Sequence, residues 1–486
     1  MGRSNPSSAD RTNAGQLAIG PSGRVLRSSG VDIHLALDRA APLRAQLERE
    51  LRAAIRAGRL RAGTKLPPSR LLADELQVSR GVVVEAYSQL VAEGYLVARS
   101  GDGTRIADGL AQQPPAPRAP SGAARRIRYD LRSGMPDLSY FPRREWQAAM
   151  TTVLRELPDA ALSYGSRRGL RRLRLALTEY LGRVRAVVAE PERLFISPGA
   201  APAMSVIWHT LRQRGATRVA VEDPGWRAIP ETIAQAGLEA VPIVVDEHAL
   251  DVGRLEHVDV DAVALSPAHQ YPTGAVLAPV RRARLIAWAR RRGALIVEDD
   301  YDAEYRYDRE PIASLQGLAP DCVAYIGTAS KTLAPAVRLG WVLVPSHLVG
   351  EMAAQQGVAR AAPSTLTQAV YAALLDRGEI DRHLRRTRRV YHSRRNALIE
   401  ALTQWLPDAR VRGAAAGLHV IAWLPDDADE TAISEAAASR GVAIHTLHQD
   451  CAVSAPLGPA LLLGYGLTAE PGLPRAVREL AAATAR

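Results

Sequence analysis

The run Gln112-Gln113-Pro114-Pro115-Ala116-Pro117-Arg118-Ala119-Pro120-Ser121-Gly122 constrains this chain most. Each proline lacks an N–H donor and fixes φ, so the run continues neither a helix nor a sheet interior. It reads as an extended linker over residues 109–126, and it divides a chain of 486 residues into unequal parts. Ahead of it, residues 31–108 form a compact segment, preceded by a tail over 1–30 that is rich in Ser, Gly, Arg and Asn. That tail shows no apolar period and is expected to be disordered. Beyond the linker, residues 127–486 read as one large domain. Short apolar runs, such as Val219-Ala220-Val221, Ala262-Val263-Ala264-Leu265 and Ala294-Leu295-Ile296-Val297, alternate there with helical stretches. This order predicts an α/β fold with a mainly parallel central sheet covered by helices.

The first compact segment has the pattern of a small helical reader. Leu43, Leu47, Leu51 and Ile55 recur every fourth residue, and Gly58 stops that helix. Ser69 reads as the N-cap of a second helix through Leu76. The turn Gln77-Val78-Ser79 leads into a third, from Arg80 to Glu93, with Val83, Val84, Tyr87, Leu90 and Val91 inward. Two short helices joined by a tight turn give helix-turn-helix geometry, which presents Ser79, Arg80 and Gly81 to a DNA major groove. Gly94–Arg99 and Arg105–Ala107 read as strands of a hairpin turned by Ser100-Gly101-Asp102-Gly103-Thr104. Lys65 is read as a phosphate contact or as a solvated lysine. A formal charge of +11 also favours a polyanionic partner, although arginine bias alone raises it.

Of the 62 lysines and arginines only Lys65 and Lys331 are lysines. Arginine supplies charge as well as lysine does, but it cannot form a Schiff base. Lys331, in Gly327-Thr328-Ala329-Ser330-Lys331-Thr332, is therefore either a Schiff-base anchor for an aldehyde or a solvated lysine. A pyridoxal 5′-phosphate site also needs an acid for the ring nitrogen, a phosphate cradle and a stacking ring. Asp299 follows a buried-strand run, with Tyr301 two residues on for the ring oxygen; a solvated carboxylate loop or a metal site is the other reading. Gly199, Ala200 and Ala201 open a helix after Leu194-Phe195-Ile196, where N–H groups meet a phosphate. Thr328, Ser330 and Arg338 add hydroxyls and a guanidinium to the same anion. Trp226 is either the stacking ring or a core tryptophan, and His269 and Gln270 supply polar groups near the ring oxygen.

Cys322 and Cys451 lie far apart without metal-ligand spacing. No apolar run is long enough to span a bilayer, so a cytoplasmic chain without a membrane partner is expected.

Residues 31–108 closely resemble the winged helix of GntR-type transcription regulators. The likeness rests on Leu66-Pro67-Pro68-Ser69-Arg70, Val78-Ser79-Arg80, Ala92-Glu93-Gly94-Tyr95-Leu96 and Gly101-Asp102-Gly103-Thr104. It implies that Arg70 and Arg80 contact DNA, Ser79 a phosphate, and Gly103-Thr104 the backbone near the minor groove. The large domain resembles fold-type I, class I aminotransferases, with a smaller C-terminal α+β subdomain. The likeness runs from Tyr164 through Gly199, Asp223-Pro224-Gly225-Trp226, Tyr271-Pro272-Thr273-Gly274, Asp299 and Tyr301 to Lys331 and Arg338. In that family the Tyr164-like residue reaches the phosphate from the partner subunit, which implies a homodimer. The chain departs from the pattern twice: Tyr271 stands where the enzymes carry asparagine, and Leu462 where they carry the arginine that clamps a substrate carboxylate.

Winged helix, linker and aminotransferase-like domain in this order are similar to the MocR-type regulators. The resemblance implies a homodimeric promoter-DNA binder that holds pyridoxal 5′-phosphate and senses it, pyridoxal or an amino compound; related members control vitamin B6 synthesis. The alternative is a genuine aminotransferase with an accessory DNA-binding domain.

Overall fold

The computed structural model describes residues 24–28, 31–35, 37–99, 101–109, 127–163, 165–308, 312–359, 363–413 and 415–484. Tyr164 and nearly all of the 109–126 linker lie outside the described residues. The chain separates into two compact units that divide after Gly122.

In the first unit, strands β1 (Arg24–Ser28) and β2 (Val31–Leu35) pair antiparallel. Part of the expected tail is thus a hairpin arm. The two runs stand two residues apart and carry Val25, Val31 and Ile33, which composition over a longer window averages away. Helices α1 (Leu43–Arg56), α2 (Ser69–Leu76) and α3 (Arg80–Ala92) follow, then the hairpin of β3 (Leu96–Arg99) and β4 (Gly103–Ile106). Leu47, Leu51, Leu72, Val83, Ala86 and Leu90 close a small core between the three helices. Val84 and Val91 differ from expectation: they are 41% and 37% exposed. At 3.6 residues per turn the inward stripe runs through 83, 86, 87 and 90, and positions 84 and 91 fall beside it. Ser69 is the first helical residue of α2 rather than its cap, because Pro68 takes the capping position.

The second unit is built on an eight-stranded sheet. Its strands are β5 (Leu194–Ser197), β6 (Arg218–Asp223), β7 (Glu239–Asp246), β8 (Ala249–Leu250), β9 (Ala262–Leu265), β10 (Leu295–Asp300), β11 (Val323–Thr328) and β12 (Gly340–Leu343). The spatial order is β8-β7-β6-β9-β10-β11-β12-β5. The five strands from β7 to β11 run parallel, and β8, β12 and β5 run antiparallel to their neighbours. β9, β10 and β11 are buried along their whole length, as expected for parallel strands covered by helices on both faces. Helices α4 (Arg171–Arg185) and α5 (Ala200–Gln213) pack on separate apolar clusters. A long helix α6 (Glu379–Trp405) leads to an antiparallel sheet of β13 (Arg410–Arg412), β14 (His419–Trp423), β15 (His445–Thr446) and β16 (Ala460–Gly464), ordered β13-β14-β16-β15. Helix α7 (Leu473–Thr484) packs its buried Leu473, Val477 and Leu480 against α6. This small subdomain brings β14 and β15 to the carboxyl ends of the parallel strands, where open α/β sheets place their ligands.

Leu51 is fully buried among the three helices of the small core. Leu51→Ala is expected to destabilise the first unit by about 2–5 kcal/mol. Denaturant unfolding, followed by signals specific to each unit, should show that transition shifting alone.

Candidate functional site

Lys331 follows β11 and faces a cavity of about 530 Å3. The cavity wall brings together Gly199, Ala200, Ala201, Trp226, Asp299, Tyr301, Thr328, Ser330, Lys331 and Arg338. These residues come from the ends of β10 and β11, the start of α5 after β5, the short strand Gly225–Trp226 and the turn that precedes β12. A wider cleft of about 670 Å3, beside Arg410, Arg412 and Trp423, contains neither lysine nor cysteine.

The Lys331 ammonium donates to the Gly134 carbonyl at 2.5 Å. Burial lowers its pKa, against the pull of Asp302 and Asp299, so the amine is more easily freed for nucleophilic attack. Gly134 lies at φ +84°, and a Cβ there would stand 3.2 Å from Nζ, so the backbone meets the amine only as glycine. Asp299 is buried at the end of β10, and its Oδ1 has no hydrogen-bond partner. Burial pushes its pKa up to about 7, with Asp300 and Asp302 adding to the rise and Lys331 opposing it. An unsatisfied buried carboxylate oxygen is costly, and a cationic ring N–H is the kind of group that would satisfy it.

The anion end is built from backbone and one free guanidinium. Gly199, at φ +136°, sets the N-terminus of α5, whose first N–H groups have no acceptor within the helix. Arg338 takes the left-handed region at φ +51°, unusual for a side chain of its size. It is exposed into the cavity, with no ion pair among the described residues. Thr328 Oγ1 donates to the Leu339 carbonyl at 3.2 Å and lies 3.0 Å from Ser330 Oγ, so the two hydroxyls face the cavity as a pair. Trp226 is partly buried, and its short strand pairs with Cys451-Ala452.

Two expected residues stand elsewhere. Gln270 spends its hydrogen bonds on its own turn and on the Pro224 segment: its amide donates to the carbonyls of Pro224 and Tyr271, and its oxygen accepts from Thr273 N and Oγ1. It shapes the loop and leaves nothing for a ligand. His269 lies behind the wall, with Nδ1 3.0 Å from Asp302 Oδ2 and 3.1 Å from Tyr301 Oη. Tyr271 itself reaches the cavity. The wall also contains Ser133, Gly134, Met135, Asp302, His419 and His445, which no spacing in the sequence singled out. Asp302 had a signal, because it shares the carboxylate run with Asp299. Burial drives His419 down to about 4, so it lines the cavity as a neutral ring. Leu462 is fully buried on β16 opposite His445, within an apolar cluster with Ile421, Leu447 and Cys451.

The winged helix presents a separate surface. Arg70, Ser79, Arg80, Gly81, Lys65 and Gly103 are exposed, and Ser69 and Thr104 are half-buried. Arg80 Nε reaches Ser69 Oγ at 3.5 Å, which ties the start of α3 to the start of α2. In the wing, Asp102 pairs with Arg105 at 2.9 Å and with Lys65 at 3.4 Å. The Arg105 hydrogen bond holds the Asp102 carboxyl down to about 2.

The comparisons agree with this architecture. Residues 43–106 match the model of bacterial regulatory proteins, gntR family, and residues 134–450 match aminotransferase class I and II. The chain is 33% identical over 424 residues to the HTH-type pyridoxine biosynthesis transcriptional regulator PdxR of Corynebacterium glutamicum, covering 86% of this chain and 91% of that one. It is 32% identical over 454 residues to the probable rhizopine catabolism regulatory protein MocR of Rhizobium meliloti, covering 89% and 92%. Among solved structures, the α-aminoadipate aminotransferase LysN of Thermus thermophilus, complexed with N-(5'-phosphopyridoxyl)-L-leucine, aligns at TM-score 0.66 and 26% identity. That alignment covers 74% of this chain and 92% of the enzyme. The chain belongs to the GntR-family transcription regulators of the MocR/PdxR type, which join a winged helix to an aminotransferase class I and II domain.

Each site contains one carboxylate whose removal gives a test. Asp299 has a folded pKa above its unfolded value, so its contribution to stability is present at low pH and is lost as pH rises from about 4 through about 7. In ligand-free protein, Asp299→Asn is expected to raise the melting temperature above pH 7 and to leave it nearly unchanged below pH 4. Asp102→Asn is expected to release Lys65 and Arg105 for phosphate. Fluorescence-anisotropy titrations should show tighter DNA binding and a log Kd against log salt slope steeper by about 1–2.

Proposed function

We propose that this regulator binds promoter DNA as a homodimer through its winged helix and holds pyridoxal 5′-phosphate at Lys331. Occupancy of that site, by the cofactor alone or with an amino compound, sets the regulator's output. Control of vitamin B6 metabolism is the favoured role, in keeping with the name of the Corynebacterium glutamicum relative.

The observation that carries this reading is the unpartnered Asp299 Oδ1, buried on the same cavity wall as Lys331 and Arg338. The donor set suits the cofactor at every point where it is polar. Lys331 would hold the aldehyde carbon, Asp299 the ring N–H, Tyr301 the ring oxygen, and Arg338 with Thr328, Ser330 and the Gly199-Ala200-Ala201 turn the phosphate. Trp226 would lie against the ring. When bound, the group supplies an aldehyde that condenses reversibly with amines and a ring that accepts electrons. The chain's own residues orient it: His269 fixes the Tyr301 hydroxyl, and the Arg185–Asp300 ion pair, at 2.7 Å, neutralises the carboxylate next to Asp299. Arg70, Arg80, Ser79 and Gly81 would read the operator, with Lys65 and the wing residues Gly103 and Thr104 on its backbone.

Borohydride reduction of protein incubated with the cofactor tests the site. Intact mass should rise by one phosphopyridoxyl group in wild type and stay unchanged in Lys331→Ala. Promoter binding by both proteins, with and without cofactor, then tests sensing. Identical binding and regulation by both proteins under every cofactor condition would overturn that part.

A further inference from the structure

The part of the cavity away from Arg338 has a charge of its own. Ser133 Oγ lies 3.1 Å from Tyr271 Oη and 3.0 Å from His445 Nδ1. His445 Nε2 in turn stands 3.9 Å from Asp450 Oδ1, beyond hydrogen-bond range. The other Asp450 oxygen accepts from the Thr446 N–H at 2.8 Å, which fixes the carboxylate at the mouth of the site. All four side chains line the cavity that Lys331 faces. Burial lowers the pKa of His445, so the ring offers little positive charge to offset Asp450. Among the described residues, Arg338 and Lys331 are the only arginine or lysine side chains on the wall, and the bound cofactor would engage both. Leu462, directly across from His445 in the sheet register, is packed into apolar neighbours and adds no charge.

A ligand amine that enters beside Lys331 therefore extends towards hydroxyls, a neutral imidazole and a carboxylate with a free oxygen. A carboxylate on that ligand would meet Asp302 and Asp450, and among the described residues of the wall only Lys331 and Arg338, which the cofactor would engage, are cationic Lys or Arg. A second ammonium would find Asp450 Oδ1 and the Ser133 and Tyr271 oxygens as acceptors. We propose that the Ser133–Tyr271–His445–Asp450 wall recognises the distal ammonium of a short α,ω-diamine, making a carboxylate-free diamine the effector class of this regulator. This rests on the reading that Lys331 holds the cofactor, and it concerns the other end of the same cavity.

The test uses full-length protein loaded with cofactor and dialysed, titrated by calorimetry with 1,4-diaminobutane, 4-aminobutanoate and n-butylamine. Wild type is expected to bind the diamine at least about tenfold more tightly than either competitor. Asp450→Asn, whose amide oxygen can still accept from Thr446, should remove the diamine's advantage over butylamine. Equal or tighter binding of 4-aminobutanoate, or no binding of any of the three, overturns the proposal. A diamine preference that survives in Asp450→Asn overturns the assignment of the wall. The wild-type series needs no variant to fold. Borohydride labelling of the same preparation separates the two readings: a labelled protein without diamine preference sinks only this inference, and an unlabelled one sinks both.

Discussion

Everything at the carboxyl edge of the parallel sheet is governed by the cost of burying charge. Glu222, Glu298, Asp299, Asp300 and Asp302 are all buried there, at the ends of β6 and β10 and just beyond. Three of them are answered within the fold, and Glu222 is half-answered, because its Oε1 has no partner among the described residues. Glu298 accepts from the N–H groups of Leu315 and Gln316, and Asp300 is matched by Arg185 and the Tyr325 hydroxyl. Asp302 lies against His269, and Glu222 accepts from Ser266 N. Asp299 is the carboxylate of this set for which no protein donor is found, and it is the one that faces the cavity. Isolated buried charges are expensive enough that a fold satisfies them or keeps them for a ligand. Glu222 Oε1 is unpartnered too, but of the two only Asp299 lies on the cavity wall.

The small subdomain is joined to this edge by polar stitches rather than by apolar packing alone. Asp223 accepts from the N–H groups of Ser454 and Ala455, and Arg227 donates to the carbonyls of His448, Gln449 and Cys451. Trp226 lies between these two residues in sequence, on a short strand paired with Cys451-Ala452. The segment that carries the ring candidate and the short helix Leu447–Asp450 are therefore fastened together. A ligand that draws on Asp450 acts on a backbone already tied to the Trp226 strand.

Much of this is legible in the sequence, for identifiable reasons. The sheet can be read because parallel strands are apolar throughout, and Val219–Val221, Ala262–Leu265 and Leu295–Val297 stand out against helical stretches. Asp299, Tyr301 and Lys331 can be read because each stands at or just beyond the carboxyl end of an apolar strand, and Arg338 because it follows Lys331 by seven residues, just before the chain re-enters the sheet in β12. Gln270 departs from expectation because a polar side chain in a turn satisfies local carbonyls before it serves a ligand. Val84 and Val91 depart from it because a set of apolar residues is not a stripe until it is placed on a 3.6-residue period. Ser133, His419 and His445 escape a reading of the sequence because they reach the cavity from short strands and loops far apart in the chain, where no local period marks them. Ser69 differs because Pro68 also suits a helix start, and one residue decides which of them caps.

The scarcity of lysine has a consequence beyond the anchoring of a cofactor. Lys65 is exposed in the wing beside Asp102, and Lys331 is tucked under the Gly134 carbonyl. An ordinary protein surface, studded with lysines, takes up a reactive aldehyde at many weak sites. A chain whose lysine amines number two offers few such sites, and under the proposed function Lys331 is the one that would be used. Arginine supplies positive surface without this chemistry, so the composition that makes the chain basic also leaves it few amines for an aldehyde to react with.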